Sequence, residues 1–286
     1  MTGGSTSDSN TGPCPIAVVI ISYNEEPNLA YALQSVRGWA QQVFVVDSFS
    51  ADATVEIAHQ NGAQVHQHAF ETVGQQRNWA LDNLPIDDGW VLFLDADEYL
   101  SEELKQEIRD VAMNSDASAA AYVTAIQFMY LGRWLRHGDL YRNVIRMVRK
   151  GCGRYVDTEG FHEKLVIDGP VGKLRSYIVH DDHHSVCHWV EKQMPRIVID
   201  ARMAVERSAS ARPMAGADSS SPVTVEGGRN RWFRQKVACV PGPLRPFAQF
   251  FYRYIVRGGF LDGWQGFLYH FLLQFWYPLM VEALAT

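Results

Sequence analysis

Apolar residues in the first half of the chain fall into short unbroken runs, separated by stretches where they recur at helical spacing. Ile16 to Ser22 is one such run; the polar turn Tyr23-Asn24-Glu25-Glu26 follows, and then Leu29, Leu33 and Val36 share one helical face. Val43 to Val46 is a second, closing on Asp47-Ser48-Phe49-Ser50, after which Asp52 can cap a helix carrying Val55, Ile57 and Ala58. Ala63 to Val65 is a weaker third, and Gly74 to Leu84 reads as a helix bearing Arg77 and Asn78. Trp90 to Leu94 is a fourth run, and it stops abruptly at Asp95-Ala96-Asp97-Glu98. Four or five apolar residues are too few to cross a bilayer, so these runs read as strands buried on both faces. Strand, helix, strand, helix at this rhythm predicts an α/β fold on a doubly wound, parallel sheet.

Acids and short polar residues stand just past three of the four strand ends: Asn24 and Glu25, Asp47, and Asp95 with Asp97. Open α/β sheets bind ligands at that edge. Two carboxylates one residue apart, where a strand must turn, suit a hard cation such as Mg²⁺ or Mn²⁺, which takes few protein oxygens and completes its shell with phosphate and water. A helix N-cap enriched in acids is the plainer explanation of the same letters. No G-x-G-x-x-G follows the first strand and no G-x-x-x-x-G-K-[ST] occurs, so neither a dinucleotide fold nor a P-loop is supported.

Four segments taken together, Ile20-Ile21-Ser22-Tyr23-Asn24-Glu25, Val45 to Asp52, Gln76-Arg77-Asn78-Trp79-Ala80 and Leu94-Asp95-Ala96-Asp97-Glu98, resemble in content and order the motifs of family 2 glycosyltransferases. The branch they look most like includes bacterial lipopolysaccharide-core glucosyltransferases. The resemblance implies a GT-A-like fold: a Rossmann-type mixed sheet flanked by helices, here with a helical, basic and aromatic C-terminal extension. It implies a metal-dependent, inverting transfer from a UDP-sugar, UDP-glucose for preference, to a lipid-linked or lipopolysaccharide-type glycan. Ser22, Tyr23, Asn24 and Glu25 would line the nucleotide pocket, Asp47 would accept a hydrogen bond from uracil, and Arg77 would sit near base or phosphates. Asp95 would contact the ribose, and Asp97 would hold a divalent metal, Mg or Mn. The physical chemistry agrees, since an ionised Asp only accepts and an Arg fork matches phosphate.

Farther along, Val156-Asp157-Thr158-Glu159-Gly160-Phe161-His162-Glu163-Lys164-Leu165 offers several acids. An inverting transfer needs a base for the acceptor hydroxyl. The resemblance favours Glu163, the acid after His, with Glu159 and Asp157 in reserve. In His180-Asp181-Asp182-His183-His184, His180 is the best placed to add an imidazole to a metal site, though clustered His in a loop is commonly solvated. Asn143 to Arg149, where Arg146 and Arg149, with Arg142 and Lys150 beside them, are interleaved with apolar residues, reads as an edge strand whose basic side faces the site or the membrane, or is simply solvated. Trp134 and Tyr141 could stack on an acceptor sugar or belong to the core.

With 286 residues the chain can bury one full core and carry an appendage. The expected division is a disordered start at 1–14, a catalytic domain at 15–207, a linker or loop at 208–229 and a helical extension at 230–286. A net charge of −6 argues against nucleic acid as a partner. Cys14, Cys152, Cys187 and Cys239 show no framework spacing, which points to a reducing cytosol. Met1 to Asn10 lacks the charged and apolar regions of a signal peptide. Arg229, Arg231, Arg234, Lys236, Arg245, Arg253 and Arg257 are interleaved with aromatics and almost no acids, which suits an anionic membrane surface. Phe260 to Ala285 is strongly apolar, but Asp262, Gln265, His270, Gln274 and Glu282 interrupt it, so it is expected to lie on a membrane, pack on the catalytic domain or pair into a homo-oligomer. The expected location is peripheral, on the cytoplasmic face of the inner membrane. Two other functions remain open on these letters: a nucleotidyltransferase, although the loop after the first strand is acidic where that chemistry wants Lys or Arg, and a non-catalytic nucleotide-sugar or glycan binder.

Overall fold

The computed structural model describes residues 12–87, 89–114, 118–138, 140, 143–157, 163–209 and 240–285. The expected polar start, Met1 to Asn10, and residues 210–229 of the expected linker lie outside them. The chain opens with β1 (Cys14–Ser22), α1 (Leu29–Val36), β2 (Ala40–Asp47), α2 (Thr54–Gln60), β3 (Gln64–Gln67) and α3 (Val73–Asn83). There follow β4 (Trp90–Asp95), β5 (Glu98–Leu100), α4 (Glu102–Met113), β6 (Ala121–Tyr130), β7 (Arg133–Trp134) and β8 (Asn143–Arg149). Next come β9 (Gly153–Asp157), β10 (Glu163–Ile167), β11 (Val171–Asp181) and α5 (Val186–Ala209). Among the described residues, nine strands make one sheet in the order β3-β2-β1-β4-β8-β6-β11-β5, with β7 paired to β6, and β9 with β10 makes a separate antiparallel ribbon.

Strands β3, β2, β1 and β4 run parallel, with Val19 level with Phe44 on one side and Phe93 on the other. That register gathers Ala17, Val19, Phe44, Val46, Val91 and Phe93 into one core with Ala80 and Leu84 of α3, and Tyr155 closes it. The alternate residues Val18, Ile20, Leu92 and Leu94 are equally buried, and α4 packs on β1. Each such side chain contributes about 1.5–3 kcal/mol on burial, which is why unbroken apolar runs become strands here. Helices α3 and α4 start where Thr72 and Ser101 accept from the backbone N–H three residues on, at 3.2 Å each.

Two compact units divide the chain: residues 1–123 with 145–176, and residues 124–144 with 177–286. In the first unit the sheet is mixed, because β8 pairs antiparallel to β4, Val91 opposite Val148 and Leu92 opposite Met147. The expectation that Asn143 to Arg149 forms an edge strand with a basic side is therefore corrected. β8 lies between β4 and β6, and Arg146 is buried. An alternation of Arg with apolar residues looks the same whether the Arg meets water or a buried carboxylate.

In the second unit, α5 is a single helix, whereas the C-terminal stretch is a series of short ones. Arg245–Phe250 continues as a π segment, Phe251–Val256; the chain turns at Gly258 and Gly263, both at positive φ, before Gly263–His270, the π segment Phe271–Trp276 and Tyr277–Leu284. No helix among the described residues is long and apolar enough to cross a membrane. Asp262 is buried and accepts from the backbone N–H of Arg136 and His137, at 3.0 and 2.9 Å, and from the His137 ring at 2.8 Å. His270 is fully buried against Gly138 and Gly259, whose missing Cβ atoms would overlap its ring.

Burial, with the Arg253 cation adding to it, lowers His270 from the ordinary 6.5 to about 4, against the opposing pull of Asp262. The unfolded chain therefore binds one more proton than the native one between those pH values. The stabilising contribution is complete above pH 6.5 and is lost as pH falls towards 4, and 1.36 kcal/mol per unit sets it at about 3 kcal/mol. Urea unfolding across that window should show the loss in the parent protein and a shallower decline in His270→Asn; parallel curves would count against this assignment.

Candidate active site

The loops after β1 and β2 are tied to each other by their own polar groups. Asn24, at φ 52°, donates its backbone N–H to Ser50 Oγ and accepts from Ala51 N–H, both at 2.8 Å. Glu25 N–H donates to Thr54 Oγ1 at 2.8 Å, and the Glu25 carboxylate accepts from Asn28. Tyr23, at the same edge, is 58% exposed. Ser22 is buried and donates to Asp47 at 3.2 Å. Asp47 is fully buried and also accepts from the Ser50 hydroxyl and the Ser50 N–H. Asp47, which the resemblance assigned to the uracil ring, thus holds three hydrogen bonds, one from the end of β1 and two from its own loop.

Phe49 lies in the middle of this loop at φ 61° and is 57% exposed. A bulky residue in the left-handed region is held there by its surroundings at a cost of about 1–3 kcal/mol. Sequence reading gave it no role, and its one visible mark is an aromatic residue in a polar turn.

The second cluster forms at the end of β4. Arg77 of α3 donates to Asp95 at 2.6 Å, and Arg146 of β8 reaches the other Asp95 oxygen while donating to Glu98 at 2.6 Å. Glu98 accepts the Asp95 backbone N–H at 3.1 Å, which closes the Asp95-Ala96-Asp97-Glu98 turn on itself. Burial pushes the Glu98 carboxyl up, with Asp95 and Asp97 adding to the effect against the attraction of Arg146. Burial pulls the Arg146 guanidinium down, but Asp95 and Glu98 outweigh it and raise it overall. Asp97, next in line, is partly exposed.

Helix α3 joins these loops. Gln76 donates to Ser48 Oγ and to the His68 carbonyl, both at 3.2 Å, and Trp79 stacks on His68 with centroids 4.5 Å apart. Arg77 also reaches Tyr155 Oη at 3.3 Å, and Asn78 exchanges two hydrogen bonds with the Tyr155 backbone. Arg154 and Asp82 form a two-pronged bridge at 2.8 Å per contact. Arg77, expected beside base or phosphates, thus has its head group on Asp95 and Tyr155.

Glu163 is the first residue of β10, paired with Asp157. Its side chain, that of Asp157, all of Glu159 and Tyr141 lie outside the described residues. His180 belongs to the second unit and stacks on Phe128, centroids 4.6 Å apart, while Trp134 carries Arg136 over its ring at 4.0 Å. His184 bonds to Asp182 at 2.7 Å and stacks on His188. Among the described residues, no three His, Cys, Asp or Glu side chains converge as a metal cage. Glu98 and Tyr155 had no assigned role in the sequence, since Arg146 and Arg77, which they meet, are distant in the chain.

A family model, Glycosyl transferase family 2, matches residues 17–163. An uncharacterised glycosyltransferase of Rickettsia typhi is 38% identical over 118 residues, which is 41% of this chain and 40% of the relative. The lipopolysaccharide core biosynthesis glycosyltransferase LpsC of Rhizobium meliloti is 25% identical over 57% of this chain and 61% of its own. The chain thus spans about two fifths of the first of these relatives and about three fifths of the second. Among solved structures, residues 1–349 of S. aureus TarS align over 94% of this chain and 90% of that one, at 15% identity and a TM-score of 0.42.

The buried charges make a specific demand on stability. Arg146→Met leaves Glu98 buried without its cation and should lower the unfolding free energy by about 3–5 kcal/mol, whereas adding Glu98→Leu should restore part of that loss. Urea unfolding of the two variants checks this, and a single-variant loss below about 1 kcal/mol would mean that the cluster does not hold the turn.

Proposed function

The chain belongs to glycosyl transferase family 2, and we propose that it moves a sugar from a UDP-sugar, UDP-glucose or a close relative, to a hydroxyl of a lipid-linked or lipopolysaccharide-type glycan at the cytoplasmic face of the inner membrane. The observation that carries the reading is the partial exposure of Asp97 in a β4 turn held in shape by its neighbours. Asp95 meets two arginines and its backbone N–H donates to Glu98, so Asp97 sits in a turn already fixed. A carboxylate retains unused lone pairs after two ion pairs, so Asp95, with 35% of its side chain exposed, can still accept a ribose hydroxyl. Tyr23 and the joined Asn24 and Ser50 loops supply an exposed aromatic face and fixed polar edges for the nucleotide.

A single partly exposed carboxylate fits Mg²⁺ or Mn²⁺ shared with a diphosphate, since such ions keep several waters and few protein oxygens. Asp97 would hold the ion, and the bound ion would stabilise charge on the departing diphosphate. Glu163 is the proposed base. It takes the proton from the acceptor hydroxyl as that oxygen bonds to the anomeric carbon and the carbon–oxygen bond to UDP breaks, with inversion. The names of LpsC and of its lipopolysaccharide core pathway support a glycan acceptor.

Asp97→Ala should abolish sugar transfer while leaving the melting temperature within about 2 °C of the parent, because it removes no core packing. Full turnover by this variant, or by the parent in excess chelator, would remove the metal from the account. Glu163→Gln should lower kcat by about 10² or more with little change in donor affinity. Loss of UDP-sugar binding in calorimetry, in step with activity, would make Glu163 a donor-binding residue instead.

A further inference from the structure

The second unit exposes large apolar side chains along one continuous segment. Leu244, Phe247, Phe251 and Ile255 recur at spacings of three and four, the period of one helical stripe, and all four are exposed. Val256, Phe260, Leu261 and Trp264 extend the set past the turn at Gly258, with Phe251 59% and Trp264 64% exposed. Single exposed apolar residues need no explanation, but a run of this size marks an interaction surface. It rests on a firm base: Phe250 stacks on Tyr254, Phe247 meets Phe275 edge-on at 4.9 Å, and Trp264 stacks on Phe267 at 5.3 Å.

Charge identifies the partner. Between Leu244 and Trp264 the charged residues are Arg245, which pairs with Glu282 at 3.2 Å, Arg253, Arg257 and a single acid, Asp262, which is buried and engaged by Arg136 and His137. Two more cations stand beside the segment. Arg133 is exposed and donates to the Leu261 carbonyl at 3.3 Å, and exposed Arg136 lies over Trp134. Exposed apolar side chains bordered by the exposed cations Arg133 and Arg136, with no exposed acid between Leu244 and Trp264, match the boundary between acyl chains and anionic headgroups. No helix among the described residues is long and apolar enough to cross a membrane, so the segment is proposed to lie in the plane of the surface.

We propose that the face from Leu244 to Trp264, with Arg133 and Arg136 at its rim, docks on an anionic phospholipid surface without crossing it. The inference does not depend on the donor or acceptor chemistry above, and the test keeps them apart. The full chain is sedimented with vesicles of neutral phosphatidylcholine and with vesicles containing about 30% phosphatidylglycerol, at low and high salt. Binding should be at least about tenfold tighter to the anionic vesicles and should weaken at high salt, since each cation near such a surface is worth roughly 1 kcal/mol, about fivefold in affinity. Phe251→Ser with Trp264→Ser should reduce it about tenfold or more at an unchanged melting temperature, and Arg133→Glu with Arg136→Glu should remove the preference for anionic vesicles. UDP-sugar hydrolysis without vesicles should be the same in all three proteins. Equal binding to both vesicle types, or to neither, would overturn the proposal. So would a parent dimer that the serine pair converts to a monomer, since a second copy would then be what covers the face.

Discussion

Everything at the β4 edge depends on how Asp95 is held. Two guanidinium groups, from α3 and from β8, meet on this one carboxylate, and a buried glutamate three residues on accepts from the same terminal nitrogen of the second. Burying Arg77, Arg146 and Glu98 is expensive unless each is paired. Each has an ion-pair partner in this cluster, and the pairing fixes the backbone of the turn. Asp97 gains its orientation from this indirectly, as a residue between two anchored ones. Rigid support behind an exposed functional group is what a site needs if it is to act on a diphosphate without reorganising.

Helix α3 extends the same logic to the neighbouring strands. Its segment Gln76-Arg77-Asn78-Trp79 reaches the β2 loop, the end of β4, the β9 backbone and His68 after β3, one contact for each side chain. The helix has little apolar periodicity of its own; its sequence is dictated by the strand ends it joins. The loops after β1 and β2 add their own ties through Asn24, Ser50 and Asp47, so the pocket edge is a set of mutually bonded turns.

The legible part of this fold is the part whose signal is local. Three apolar runs became the buried parallel strands β1, β2 and β4 because burial on both faces needs nothing beyond the run itself, while the weaker run became the unburied edge strand β3; the acids past the ends of β1, β2 and β4 lay at the sheet edge as read. What escaped reading depends on distant partners. Arg146 looked like one face of an edge strand, because its two carboxylates lie about fifty residues earlier in the chain. The donors to Asp47, Ser22 at the end of β1 and Ser50 in the following loop, carry no mark in the sequence that pairs them with it. The C-terminal apolar stretch looked like one untidy helix. Glycines at positive φ break it between two helical stretches, and a π segment changes the period within each, around a buried His270, a pattern that no single helical period describes.

If the locked turn presents Asp97 to a cation shared with a nucleoside diphosphate, nucleotide and metal must bind as a pair. Calorimetric titration of UDP into the full chain, with Mn²⁺ and then with excess chelator, tests this without needing an acceptor. The account predicts measurable UDP affinity with the metal and a loss of about tenfold or more without it. Equal affinity in chelator, or no UDP binding under either condition, would contradict it.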